Sequence, residues 1–244
     1  MNPKLINVIV ILFISINCIS QEISYKAIYG IKTDIDFSKI KDIDTIGILE
    51  LKKVINDTGE PSIVKFELIF NRLASLFSYK FGLNPTSEKI DLASIKANQI
   101  GKIYTNFKTR EIIQQKETLG EVFRIKSSLE DYHWQLINKK IKFGKYTVYK
   151  AIYKDNKKRI NKTTEAWYAP EIKTSTGPLG FGGLPGLIVI LKNDIFTYYL
   201  ERLIPIFENE ILLSKKGKLV SLKEYDSIYD ILYARKEQLE KDNH

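Results

Sequence analysis

Two carboxylates flank a tryptophan in this 244-residue chain: Glu165 and Glu171 stand on either side of Trp167. Paired carboxyls suffice for glycoside hydrolysis, one as acid and the other as base or nucleophile. This pair is therefore the first place to look for catalysis. The alternative is a pair of solvated residues at a strand edge. The second candidate is His133, with Asp131 two residues before it and Tyr132 and Trp134 as neighbours. Residues i and i+2 of a strand share a face, but no G-x-S-x-G elbow supplies a nucleophile for such a pair. The other histidine, His244, is the last residue, and the single cysteine is Cys18. One internal histidine and no downstream cysteine make a zinc site a poor expectation. Neither a metal nor a cofactor is expected.

The stretch Ala166–Leu191, AWYAPEIKTSTGPLGFGGLPGLIVIL, is the most informative. Gly177-Pro178 and Pro185-Gly186 punctuate it. Proline fixes φ and glycine accepts positive φ, so Pro185-Gly186 suits the centre of a type II turn. Leu187–Leu191 is a continuous apolar run, as in a strand buried on both faces. Ala166–Ala169 reads as another strand, stopped by Pro170. Gly180, Gly182 and Gly183 leave little side chain around Phe181 and allow close backbone approach. The segment is either a tight loop locking two core strands or a glycine-walled binding site. Its candidate binding residues are Trp167, Tyr168, Pro170, Gly177, Pro178, Phe181, Gly183, Leu184, Pro185 and Gly186. It lacks the cations and hydroxyls of a phosphate-binding loop.

The N-terminus reads as an export signal. Lys4 precedes an apolar run from Leu5 to Ile16, and Cys18 and Ser20 are small residues at −3 and −1 of a cut before Gln21. The run is shorter than the ~20 residues of a membrane span. Asn17 and Ser15 fit a lipobox around Cys18 poorly, so plain cleavage is ranked above lipidation. Residues 21–244 then form a single domain without cysteine. Cleavage removes Lys4 alone, taking the net charge from +9 to 9 − 1 = +8. A basic exported protein is drawn to anionic envelope surfaces or acidic partners. No nucleic-acid motif accompanies the charge, and no membrane span is expected in the mature chain.

Positioning these residues is the task of many short elements. Ile23–Ile31 alternates loosely. Val64, Phe66, Leu68 and Phe70 share one strand face, with Lys65 and Glu67 on the other. Further strands are expected at 74–81, 100–106, 110–116, 120–126, 134–138, 146–154, 163–168, 186–191 and 196–204. Turn residues separate them, as in antiparallel sheet. A helix-containing insertion is expected at 40–55, closed by a turn cluster at 56–61, and a polar loop with a short helix at 84–98. Lys154, Lys157, Lys158, Arg159 and Lys162 are expected around a hairpin tip. Ser221 and Glu224 fit a capping box, and Leu222–Glu240 reads as an amphipathic helix packed on the sheet.

Gly183-Leu184-Pro185-Gly186-Leu187-Ile188 is the hexapeptide after which the GLPGLI family is named, and the chain resembles that family of exported, mostly uncharacterised Bacteroidetes-type proteins. The resemblance extends through Phe66–Asn71, Tyr104-Thr105-Asn106, Phe123–Lys126, Trp134 and Gly144–Ala151. It departs at Val148, where many relatives have a cysteine, and at Leu179, where they have an aromatic. The landmark order is also similar to a lipoprotein-carrier-like half-barrel, an analogy of fold that does not settle function. It implies an α+β, β-rich fold, a curved antiparallel sheet with packed helices. It further implies a cavity between the sheet and the 222–240 helix, lined by Phe66, Phe70 and Trp167.

The expectation is a non-enzymatic binding protein of the periplasm or outer envelope, holding an apolar or acyl ligand or docking on an envelope protein. A structural or assembly factor that captures its partner through the glycine-rich loop is the alternative. A carboxylate hydrolase ranks last.

Overall fold

The computed structural model describes residues 23–33, 65–80, 100–155, 162–193, 196–207 and 210–242. The expected export signal, the expected 40–55 insertion, turn cluster, 84–98 loop and hairpin tip at 156–161, and His244 lie outside them. Twelve strands form one sheet: β1 (Ser24–Thr33), β2 (Lys65–Phe70), β3 (Ala74–Lys80), β4 (Lys102–Asn106), β5 (Glu111–Thr118), β6 (Glu121–Ser128), β7 (Trp134–Phe143), β8 (Tyr146–Asp155), β9 (Lys162–Ala169), β10 (Leu187–Asn193), β11 (Phe196–Ile206) and β12 (Lys218–Ser221). An α-helix, α1 (Leu222–Asp242), follows β12.

The strand order is β12-β6-β5-β4-β3-β2-β1-β11-β10-β9-β8-β7, and among the described residues the sheet does not close. It consists of two meanders, β1 to β6 and β7 to β11. They meet where β1 pairs antiparallel with β11, from Ser24↔Ile206 to Thr33↔Phe196. The turns have local causes. Between β2 and β3 the Asn71 side chain accepts the Leu73 and Ala74 amides at 2.8 and 3.0 Å, the short-range bonding that suits asparagine to turns.

Alternation decides which face holds the core. Phe66, Leu68 and Phe70 are buried on one side of β2, while Lys65 and Glu67 pair with Glu201 and Lys26 on the other. On the core side Phe66 stacks on Phe77 with centroids 5.3 Å apart, and the Tyr198 ring meets Phe66 edge-on at 5.3 Å. Strand β10 is buried on both faces over Leu187–Val189, as its apolar run demands.

Two expectations need correction. The sheet is mixed, because β12 pairs parallel with β6 from Lys218↔Phe123 to Ser221↔Lys126. Four residues with one buried position are too short to show a period, so β12 left no signal in the sequence. Among the described residues the sheet does not wrap a set of packed helices. Helix α1 sits at one end, where Tyr225 joins Phe123, Ile125 and Val220 in a small separate cluster. Its capping box does form. Glu224 N donates to Ser221 Oγ at 3.2 Å, and Ser221 N donates to Glu224 Oε2 at 2.7 Å. Those bonds hold the Glu224 carboxyl below its ordinary value.

Candidate functional site

The loop between β9 and β10, residues 170–186, lies across the core face. It turns first by Ile172 N donating to Ala169 O and Thr174 N to Ile172 O. It then doubles back, Gly183 N donating to Ser175 O and Ile188 N to Thr176 O, both at 3.0 Å. At its far reach the Thr176 hydroxyl lies 3.0 Å from the Ser75 hydroxyl of β3, buried. Pro178–Gly180 form one turn of 3-10 helix, with Leu179 at φ 59°. That left-handed conformation costs a non-glycine residue ~1 kcal/mol or more. A Cβ on Gly180 would stand 2.7 Å from Ile103 Cγ2 of β4. The loop therefore spans from β9 and β10 to β3 and β4, over the strands between.

Aromatic contacts and two long-range bonds hold it there. Phe181 packs among Tyr132, Trp134 and Tyr153, with centroids 4.8, 6.0 and 6.2 Å away. Trp134 Nε1 donates to Gly182 O at 2.8 Å, and the Tyr29 hydroxyl donates to Ile188 O at 2.7 Å. Burial of that phenol raises its pKa well above the ordinary value, because the anion would be stranded without water.

Two of the six hexapeptide residues face the surface and four are packed. Gly183 and Pro185 are exposed, and Leu184, Gly186, Leu187 and Ile188 are buried. The expected type II turn is replaced by a tighter one, in which Gly186 N donates to Leu184 O at 2.9 Å and Gly186 has φ 159°. Glycine is needed at 186 for space: a Cβ would lie 2.6 Å from Ala169 C and 2.8 Å from Pro170 N.

The structure gathers Gly177, Pro178, Phe181 and Leu184 into the packed loop, and places Pro170 and Gly186 against one another at its neck. Tyr168 faces the core side beside Tyr149. Trp167 does not join them. Ala166 pairs with Leu191, and Leu191 with Tyr198 on the core side, so Trp167 projects from the opposite face. There its Nε1 donates to Glu165 Oε1 at 2.9 Å. A cavity shared by Phe66, Phe70 and Trp167 is therefore not formed, and α1 packs elsewhere.

Both candidate carboxylates have structural partners. Glu165 lies 2.6 Å from Lys150 Nζ. Burial alone would raise its carboxyl, but the Lys150 and Trp167 hydrogen bonds and the Lys150 and Lys192 charges outweigh it and hold the group below its ordinary value. Glu171 accepts the Thr147 amide at 3.1 Å. Asp131 accepts the Ser128 amide and caps a 3-10 turn, and His133 is exposed. Among the described residues no three His, Cys, Asp or Glu side chains group as metal ligands.

A groove of about 790 Å³ opens where β3 ends and β4 begins, with Ser78, Tyr79, Gly101, Lys102, Gln115 and Lys116 among its walls. None of its lining residues comes from the loop. Sequence reasoning missed Tyr29, Ser75 and Thr176 as the residues that fix the loop. Their partners stand 159 and 101 positions away, a separation that no local pattern records.

Residues 154–190 match a family model described as a protein of unknown function, Porph_ging. The matched segment ends two residues after the hexapeptide. No curated protein matches the chain. Two solved structures share the fold. One is titled as the structure of PNGF-II in the C2 space group, at 15% identity and TM-score 0.52, covering 85% of this chain and 32% of that one. The other is PNGF-II in P21, at 16% identity and TM-score 0.52, covering 84% and 33%. This chain thus spans about a third of the length of PNGF-II. At such identity the likeness concerns the fold.

Proposed function

We propose that the chain is a GLPGLI-type protein of the cell envelope, exported to the periplasm or outer envelope, that works without catalysis by docking on a partner. The observation that carries this reading is the occupied core face. A carrier of the half-barrel kind would hold its acyl chain against that face, where this protein lays its own loop across β3 and β4 and bonds it at Thr176 and Gly182. An apolar cargo would have to displace Phe181 and Pro178 from buried positions. The exposed Gly183 and Pro185 leave part of the hexapeptide free to meet another molecule. The partnered state of Glu165 and Glu171 speaks against a carboxylate hydrolase.

Native mass spectrometry of the protein, purified gently from the envelope, tests the reading. A mass equal to the bare polypeptide is expected. A reproducible lipid-like increment that leaves on denaturation would overturn docking in favour of carriage.

A further inference from the structure

The β7–β8 hairpin ends the sheet, so one edge of β7 has no neighbouring strand among the described residues. Apart from Asp155 at the last position of β8, its charge has one sign. No Asp or Glu stands between Trp134 and Lys154, while Lys139, Lys140, Lys142, Lys145 and Lys154 are exposed. Lys150 differs, being partly buried and paired with Glu165 at 2.6 Å. The nearby Glu171 holds the Thr147 amide.

Lysine on an edge strand discourages pairing with other chains, and that accounts for some of these residues. It does not account for the apolar side chains among them. Leu136 is 60% exposed, Ile141 38% and Tyr149 37%. The register puts Leu136, Lys140 and Tyr149 on one side of the hairpin and Ile141 on the other, the change of side following the bulge between Ile137 and Lys140. Lys139 Nζ sits 6.0 Å from the Trp167 ring centre and Lys145 Nζ 5.4 Å from that of Tyr146. Such lysines lay their stems on apolar surface and keep their charge at the boundary. Cations interleaved with exposed apolar groups suit a lipid interface, where phosphates meet the lysines and the acyl boundary receives the rest. A soluble acidic polymer would answer the charge and leave Leu136 and Ile141 in water.

We propose that the β7–β8 hairpin docks the protein peripherally on an anionic phospholipid surface. The inference deepens the docking reading and rests on it for the envelope setting. Cargo mass and vesicle binding are separate readouts, so either can fail alone.

The test is cosedimentation of the exported form, as the cell processes it, with vesicles of phosphatidylethanolamine and phosphatidylglycerol and with phosphatidylcholine vesicles. Binding is expected to the anionic vesicles alone and to weaken as salt rises. Lys140→Glu with Lys142→Glu should lower affinity at least ~10-fold. Lys108→Glu with Lys223→Glu makes the same charge change at exposed positions outside the hairpin and should change affinity less than ~3-fold, because it leaves the hairpin's own lysines in place. Leu136→Ser with Ile141→Ser should lower it several-fold, with circular dichroism native in all three variants. No binding by the unaltered protein would overturn the proposal. So would equal losses in the two lysine pairs, or binding to soluble dextran sulfate without binding to vesicles.

Discussion

The hydroxyls of Ser75 and Thr176 lie 3.0 Å apart, buried, and tie the glycine-rich loop to a strand 101 residues earlier. Removing one partner strands the other without water, which costs ~1–3 kcal/mol. Thr176→Val should therefore lower stability by about that amount. The double variant with Ser75→Ala should lose less than the two single losses added together. Urea denaturation midpoints of the four proteins check this cycle.

Two glycines of the hexapeptide should respond differently. A Cβ on Gly186 would meet Ala169 C at 2.6 Å and Pro170 N at 2.8 Å, backbone atoms that cannot swing aside. Gly186→Ala should cost more than ~3 kcal/mol or prevent folding. Gly183 has φ +85°, and its nearest outside atom would stand 3.8 Å from an added Cβ. Gly183→Ala should cost only the ~1–2 kcal/mol of a left-handed alanine. Thermal unfolding separates the two. The Gly183 variant, still folded, can then show whether the exposed loop contributes to partner capture.

Tyr29 makes the core sensitive to alkali. Its pKa is raised in the folded protein above the ordinary 10.0 by burial, so the folded state holds its proton more tightly than the unfolded chain does. The stability this supplies is fully present below pH ~10 and is lost as pH rises from there toward the folded value. Tyr198, also raised by burial, adds to the same trend. Urea unfolding across pH 8 to 11 should show a decline that is shallower in Tyr29→Phe. At neutral pH that variant should lose ~1 kcal/mol with the bond to Ile188 O.

Trp167 and Glu165 are expected to matter for folding and not for chemistry. Trp167 is 7% exposed on the face opposite Phe66. Trp167→Ala should cost ~3–5 kcal/mol and leave the mass of any bound molecule unchanged. Because the Glu165 carboxyl lies below its ordinary value when folded, its contribution is present above pH ~4.5 and lost as pH falls. Glu165→Gln should flatten the acid limb of the stability curve. A glycan-hydrolysing activity that disappeared in Glu165→Gln or Glu171→Gln would sink the non-enzymatic reading.

The sequence discloses strands wherever the pattern is local. Phe66, Leu68 and Phe70 alternate with Lys65 and Glu67, and β2 follows. The Ser221–Glu224 spacing announces the start of α1, and the apolar run 187–191 announces a doubly covered strand. Long-range facts were hidden. Nothing near Trp167 says which face it takes, because that depends on its register with Ile190. The loop's place over β3 and β4 depends on Ser75 and Ile103, which carry no mark of their partners. Pro185-Gly186 suggested a turn from conformational preference, whereas the deciding factor at Gly186 is the backbone of Ala169 and Pro170.

The seam between β1 and β11 has a consequence for the order of events in folding. Each meander can zip from neighbouring segments, but the joint between them brings together residues 24–33 and 196–206. Until β11 has been made, β1 has a partner on one side and an open ladder on the other. Loop closure over that distance is slow, and an open ladder invites other chains. A chain so arranged acquires its middle last.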